Sequence, residues 1–344
     1  MMKTVASSMK SAAVLALLAA ALAGAADNGF QACARCHAAQ AAELDSAMAH
    51  TLMRAENCDV LKKHPRLTGE KDGYSYEIVR EGERSIYTVR KGSETVSARL
   101  IWAFGEGNMA GQAYIFQWKG AWYDSRVSYY PEIRGLDVTM GFQGEQPGNI
   151  EQAAGRRLDT RLLMECFECH TTGEIKDSDL DHVTPGVLCD KCHGSSAPHL
   201  EAVRSGNAAN FAMQKLGKLN TEQMANFCGR CHGDMLRLAA NGETGPITVR
   251  FQAYRLAESP CYNEQDRRIS CVTCHDPHQR LDARPADYDV KCQACHHTGL
   301  KKTCKVAVHD CVTCHMPKIE PPGAHHRFTD HQIRIARAST PYPE

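Results

Sequence analysis

The chain has 344 residues, with 40 basic and 40 acidic side chains in formal balance. It shows no basic run, which argues against nucleic acid as a partner, because phosphate binding draws on a basic excess or stripe. The 17 cysteines are the feature any account of the chain must explain.

In chain order, residues 1–26 stand apart. Lys3 and Lys10 lie in a charge-poor start, an apolar run covers Ala12 to Gly24, and Ala23-Gly24-Ala25-Ala26 precede Asp27. This is the layout of a cleaved secretory signal, and the apolar run is short for a bilayer span of about 20 residues. The expectation is a periplasmic or extracellular protein with no retained membrane span. Residues 27–61 hold one Cys-x-x-Cys-His site, and helical periodicity follows from Gln40 to Leu52. Residues 62–155 hold no such site and read differently. Tyr74, Tyr76 and Ile78 alternate with polar residues, as does the run Ile86 to Val89. Tyr114 to Trp118 is followed by a Lys119-Gly120 turn, then Ala121-Trp122-Tyr123 and Val127 to Tyr130. Alternation broken by glycine turns predicts β-hairpins. Trp102, Trp118, Trp122, Tyr129 and Tyr130 are expected to form their core. Six more sites fall within 156–336, with helical periodicity from Ala197 to Met213, and 337–344 form a frayed tail.

The motif occurs seven times. The copies are Cys33-x-x-Cys36-His37, Cys166-x-x-Cys169-His170, Cys189-x-x-Cys192-His193 and Cys228-x-x-Cys231-His232. Cys271-x-x-Cys274-His275, Cys292-x-x-Cys295-His296 and Cys311-x-x-Cys314-His315 complete the set. This is the attachment signature of haem c. Two thiols one helical turn apart add to the two vinyl groups of one porphyrin, and the adjacent histidine reaches the iron. Zinc uses Cys-x-x-Cys pairs without needing a histidine after each one. A thioredoxin-like pair would occur once, and a disulfide framework leaves the histidines unexplained. A histidine after all seven pairs by chance is on the order of one in a billion. The cofactors expected are seven covalent haems and their iron. Six sites within so short a stretch leave no room for separate apolar cores, so the haems themselves must be packed as the core. The expected fold class is α-rich and low in regular structure, built around stacked haems, with a small antiparallel β-rich insert.

Seven irons need up to seven further axial ligands. Ten histidines lie outside the motifs: His50, His64, His182, His199, His278, His297, His309, His325, His326 and His331. Such a surplus points to bis-histidine ligation, which makes low-potential electron carriers. His278 is too close to its own motif to reach the far face of the same haem, so it is assigned to a neighbouring one. His199 and His331 are candidates of the same kind, followed by His309, His326 and His182; His64 and His297 come last. At the first site Met48 and His50 compete, Met48 favouring a higher potential and His50 a lower one. Cys58, Cys261 and Cys304 are left over. A Cys261–Cys304 disulfide suits an oxidising compartment, while Cys58 can pair with either or stay free.

The set CHGxxxxH (His193 to His199), CHDPH (His275 to His278), CHMPK (His315 to Lys318) and FTDH (Phe328 to His331) resembles the exported multihaem c-type cytochromes. Relatives include the tetrahaem acceptor of hydroxylamine oxidoreductase and other bacterial multihaem proteins. The likeness is densest from Cys166 to Ile335, and it implies distal ligation by His199 and His278. The chain lacks the Cys-x-x-Cys-Lys site of ammonia-forming nitrite reductases, which speaks against that activity. Electron carriage between a quinol-side donor or enzyme and a terminal reductase or other acceptor is the expected function, with no catalytic residues assigned. The alternatives are a reductase or oxidase of a small nitrogen or sulfur species at one open iron, and a subunit of a polymer in which haems stack between chains.

Overall fold

The computed structural model describes residues 30–107, 110–207, 213–281, 284–296, 304–340 and 342. The signal-like segment 1–26 and His297 lie outside these residues. The chain divides into two compact units, Met1–Ala41 and Ala42–Glu344. In the first, helix α1 (Gln31–Ala34) carries Cys33, and the His37 N–H donates to the Cys33 carbonyl at 2.8 Å.

The second unit holds a large sheet. Its strands are β1 (Leu52–Arg54), β2 (Arg66–Lys71), β3 (Tyr74–Glu81), β4 (Arg84–Lys91), β5 (Glu94–Phe104), β6 (Ala113–Trp118) and β7 (Ala121–Ser125). A separate hairpin, β8 (Val127–Tyr130) with β9 (Gly135–Val138), follows, and β10 (Gly155–Leu158) returns to the sheet edge. The order is β10-β7-β6-β5-β4-β3-β2, with β1 paired to β5, and every pairing is antiparallel. Alternation explains the strands: Tyr74, Tyr76 and Ile78 are buried while Ser75 is exposed. Lys119 and Gly120 both have positive φ, the two-residue turn that matches strand twist and joins β6 to β7.

The expectation of an α-rich fold is wrong. Among the described residues helix makes up 34% and strand 24%, with eight strands in one sheet. A haem attachment site needs only a single turn of helix, so seven motifs imply little helix in total. The helices at Cys189–His193 and Cys311–His315 are five residues long. The sheet also extends beyond the strands read from sequence. β5 is 11 residues long and was not anticipated, because its inward Val96, Ala98 and Leu100 are small or moderate beside Arg99 and Glu94. The periodic stretch from Gln40 to Leu52 is not one α-helix. It holds a 3-10 segment, Ala38–Asp45, and Leu52 opens β1. The periodicity from Ala197 gives a helix that ends at Arg204.

One core lies on the sheet around Tyr76, Tyr87, Leu100, Tyr114 and Phe116. Tyr129 joins it, Trp102 and Tyr130 are likewise buried, and Trp118 and Trp122 are half-buried. A second core joins Leu52, Trp102 and Ile115 to Leu163 and Phe167 of helix α2 (Thr160–His170). Asp159 caps that helix by accepting from the Leu162 N–H at 2.8 Å. Leu163, Phe167 and His170 share one face of α2, so packing against the sheet fixes where the second motif sits.

Candidate haem sites

Short helices present the motifs of the second unit. They are α2, α3 (Cys189–His193), α5 (Thr221–His232), α7 (Cys271–Cys274), α8 (Asp289–Gln293) and α9 (Cys311–His315); α4 (Ala197–Arg204) carries His199 and α6 (Gln252–Ala257) packs beside α5. Helix α5 starts at a full capping box between Asn220 and Gln223. It buries Thr221, Met224 and Ala225, leaving Cys228, Cys231 and His232 at its far end.

Four of the motif histidines are held by Nδ1. His170 Nδ1 lies 2.7 Å from Thr51 Oγ1 and 3.0 Å from the Thr51 carbonyl. His193 Nδ1 meets the Gln214 carbonyl at 3.0 Å, and His315 Nδ1 meets the Arg334 carbonyl at 2.9 Å. His275 Nδ1 is 3.5 Å from the Tyr288 hydroxyl. Such bonds fix ring orientation and leave Nε2 to face a metal. Sequence reasoning did not find Thr51, Gln214, Arg334 or Tyr288. Three of the contacts run to backbone carbonyls, which carry no residue-type signal.

Two spare histidines sit opposite motif histidines. The rings of His193 and His278 are 6.1 Å apart between centres and 11° from parallel. Those of His275 and His331 are also 6.1 Å apart. An imidazole nitrogen lies about 2 Å from a metal and its ring centre roughly 1 Å further, so two opposed ligands put their centres about 6 Å apart. Both partners are anchored through Nδ1, His278 to Asp276 at 3.2 Å and His331 to the Thr329 carbonyl at 3.0 Å. Burial, reinforced by His275, pushes the His331 imidazole down to about 4, and the neutral form is the one that binds a metal. The donor sets at these two sites therefore fit a six-coordinate haem iron.

The remaining candidates lie elsewhere. His182, with its side chain 84% exposed, bonds Asp179 through Nδ1 at 2.6 Å. His309 pairs with Asp310 at 2.9 Å and His326 with Glu132 at 2.7 Å, each also through Nδ1. His199 is half-buried on α4, Met48 is half-buried and His50 is exposed. His64 and His325 use Nε2 instead, toward Tyr129 at 3.2 Å and Asp137 at 2.7 Å. Cys58 is buried in the sheet core and its thiol donates to Gln112 Oε1 at 2.9 Å. Cys261 and Cys304 are exposed, and none of these three is bridged. Among the described residues no three His, Cys, Asp or Glu side chains converge on one point, the arrangement a zinc site requires.

Six sites form one connected set. The Cys228 and Cys271 thiols hydrogen-bond, raising Cys228 and lowering Cys271, and Cys231 is raised by the same contact with Cys169. Asp289, at the start of α8, accepts from the N–H groups of Asp310 and Cys311 at 2.7 and 2.9 Å. It thereby caps α9 from the neighbouring site. With the two histidine pairs, these contacts link the sites at Cys189, Cys271, Cys228 and Cys166 in one direction and those at Cys311 and Cys292 in the other.

Residues 143–194 match the family model described as cytochrome c554 and c-prime. No curated protein matches the sequence. Among solved structures, the outer cell wall cytochrome OcwA shares the fold with a TM-score of 0.50 and 12% identity, over 89% of this chain and 79% of that one. The matched family segment contains two of the attachment sites and the edge strand β10. The seven attachment motifs, the match over residues 143–194 and the fold shared with OcwA together support a multihaem c-type cytochrome.

Proposed function

We propose that the chain is an exported heptahaem electron carrier, with every motif loaded and most irons held by two histidines. The observation that carries this reading is the pair of 6.1 Å histidine spacings with both Nδ1 atoms anchored. Bound haem supplies a one-electron iron couple. The chain attaches each porphyrin by two thiols, fixes the motif histidine through Nδ1, and brings His278 and His331 across from His193 and His275. Connected sites give electrons a continuous route, so the function follows from adjacency and needs no substrate pocket. The domain reading is a signal at 1–26, an N-terminal haem segment at 27–61, a haem-free β-rich part at 62–155, a six-haem part at 156–336 and a tail at 337–344. Export to the periplasm or cell exterior is supported by the signal layout and by the outer cell wall location in the name of OcwA. No helix among the described residues is long and apolar enough to cross a membrane. The partners would be a quinol-side donor or a terminal reductase.

A haem count with electron paramagnetic resonance on the oxidised, loaded protein tests this. Seven haems, all low-spin, support the carrier. A high-spin component near one haem per chain would favour the alternative, reduction of a small nitrogen or sulfur species at an open iron, and would direct the search to substrates such as hydroxylamine and nitrite.

A further inference from the structure

We infer that Asp330 is a positioning residue that sets axial-ligand orientation at two neighbouring irons, through His331 on one side and Arg334 on the other. The inference rests on the ligand reading proposed above. Asp330 is 0% exposed, and four donors surround its carboxylate. Oδ1 accepts from Arg255 Nε at 2.8 Å and from the Gln332 N–H at 3.1 Å. Oδ2 accepts from Arg255 Nη2 at 2.8 Å and from Arg334 Nη1 at 2.6 Å. The Asp330 N–H donates to the Pro317 carbonyl at 3.0 Å. Arg255 is itself buried, bonds Gln332 Oε1 at 2.9 Å, and lies under the Tyr342 ring at 4.4 Å.

Two haem sites hang on this carboxylate. His331 is the next residue, and its carbonyl accepts from Ser259 Oγ at 3.2 Å. The Asp330 side chain and the His331 carbonyl contact fix the backbone of this segment, and the Thr329 carbonyl orients the His331 ring, whose centre lies 6.1 Å from that of His275. On the other side, the Arg334 guanidinium is on Oδ2 while its backbone makes both bonds to the last motif. Its N–H donates to the His315 carbonyl at 3.1 Å, and its carbonyl accepts from His315 Nδ1 at 2.9 Å. A buried Arg–carboxylate cluster is weak evidence for stability, because desolvation cancels much of its attraction. Its geometric role, a carboxylate bonded to the segments that carry ligands for two irons, is the better reason for burying it.

The test is Asp330→Asn in the full, haem-loaded chain, which keeps shape and removes the charge. Two of the seven low-spin signals should shift or turn high-spin, and the same two potentials should move while five stay in place. Asp330→Glu, which keeps the carboxylate, should restore at least part of both signals. Asp72→Asn removes the charge that the buried Arg126 meets at 2.9 Å on half-buried Asp72 in the sheet region, and serves as a stability control with an unchanged haem spectrum. An Asn variant destabilised like the control but with wild-type spectrum and potentials would overturn the inference. If the Asn variant does not fold, Arg334→Met is read instead; it should alter the His315 haem signal alone, and an unchanged spectrum there would equally overturn it. The wild-type haem count and spin state test the carrier reading by themselves, whereas the clamp is read only from variant-minus-wild-type differences.

Discussion

Replacing His278 by alanine should open one iron and no other. The His278 ring stands 6.1 Å from the His193 ring and nearly parallel to it, and Asp276 holds it by Nδ1 at 3.2 Å and by its backbone N–H at 3.0 Å. Alanine ends several ångströms short of the point between the two rings, so no side-chain donor from position 278 reaches it. His193 keeps its own anchor on the Gln214 carbonyl, and His170, His275 and His315 keep theirs. The expected change is a high-spin signal worth one haem in seven, roughly 14% of the iron, with that haem's potential raised by the loss of an imidazole donor. The assay is electron paramagnetic resonance on oxidised protein with the haem count taken from the same sample. His325→Ala is the control, because Asp137 already occupies its Nε2, and it should leave all haems low-spin. An unchanged spectrum in His278→Ala, or a high-spin signal of two haems or more, would refute the pairing.

Phe167→Ala should cost about 3–5 kcal/mol as a lowered thermal midpoint, because the ring is fully buried with edge contacts to Trp102 at 5.5 Å and Phe104 at 5.3 Å. The signal of the His170 haem should change with it, since Phe104 also packs on His170 at 5.0 Å. Gly233→Ala should lose roughly 3 kcal/mol, because φ there is +71° and a Cβ would fall 2.1 Å from the Phe251 ring. Combining it with Phe251→Ala should cost less than the sum of the two single losses, and strict additivity would refute the clash. Burial, which outweighs the attraction of Arg156, raises the Asp124 carboxyl to about 7. The folded chain therefore holds a proton that the unfolded chain releases near 3.8, and stability falls as pH rises from about 4 to about 7. Asp124→Asn should remove that slope, gaining ~2 kcal/mol at pH 8 after a discount for partial exposure and little at pH 4. Denaturation midpoints of both proteins across that range decide it; equal slopes would count against the shift.

Covalent chemistry was legible in the sequence because it is local. Cys-x-x-Cys-His is a contiguous signature, and its seven copies depend on nothing distant in the chain. The hairpins over Tyr74 to Val89 and Tyr114 to Tyr130 were legible for the same reason, since side-chain alternation and a Lys119-Gly120 turn are written in adjacent residues. Fold class was not legible in the same way, because β5 hides its pattern behind small inward residues and the sheet closes only by long-range pairing such as β1 with β5.

Which histidine faces which depends on long-range packing. His278 meets His193 across 85 residues, and His331 meets His275 across 56, distances over which sequence spacing carries no geometry. The anchors of the motif histidines are mostly backbone carbonyls, at Gln214, Arg334 and Thr51, and a carbonyl looks the same in every residue. Asp330 stood in a quoted motif, yet its partner Arg255 is 75 residues away and only folding brings them together. The sequence by itself determined what is bound and how it is attached. The tertiary structure decided which histidines face each other and how the sites connect, because those relations exist only once the sheet, the short helices and the buried Arg255–Asp330 pair have closed on one another.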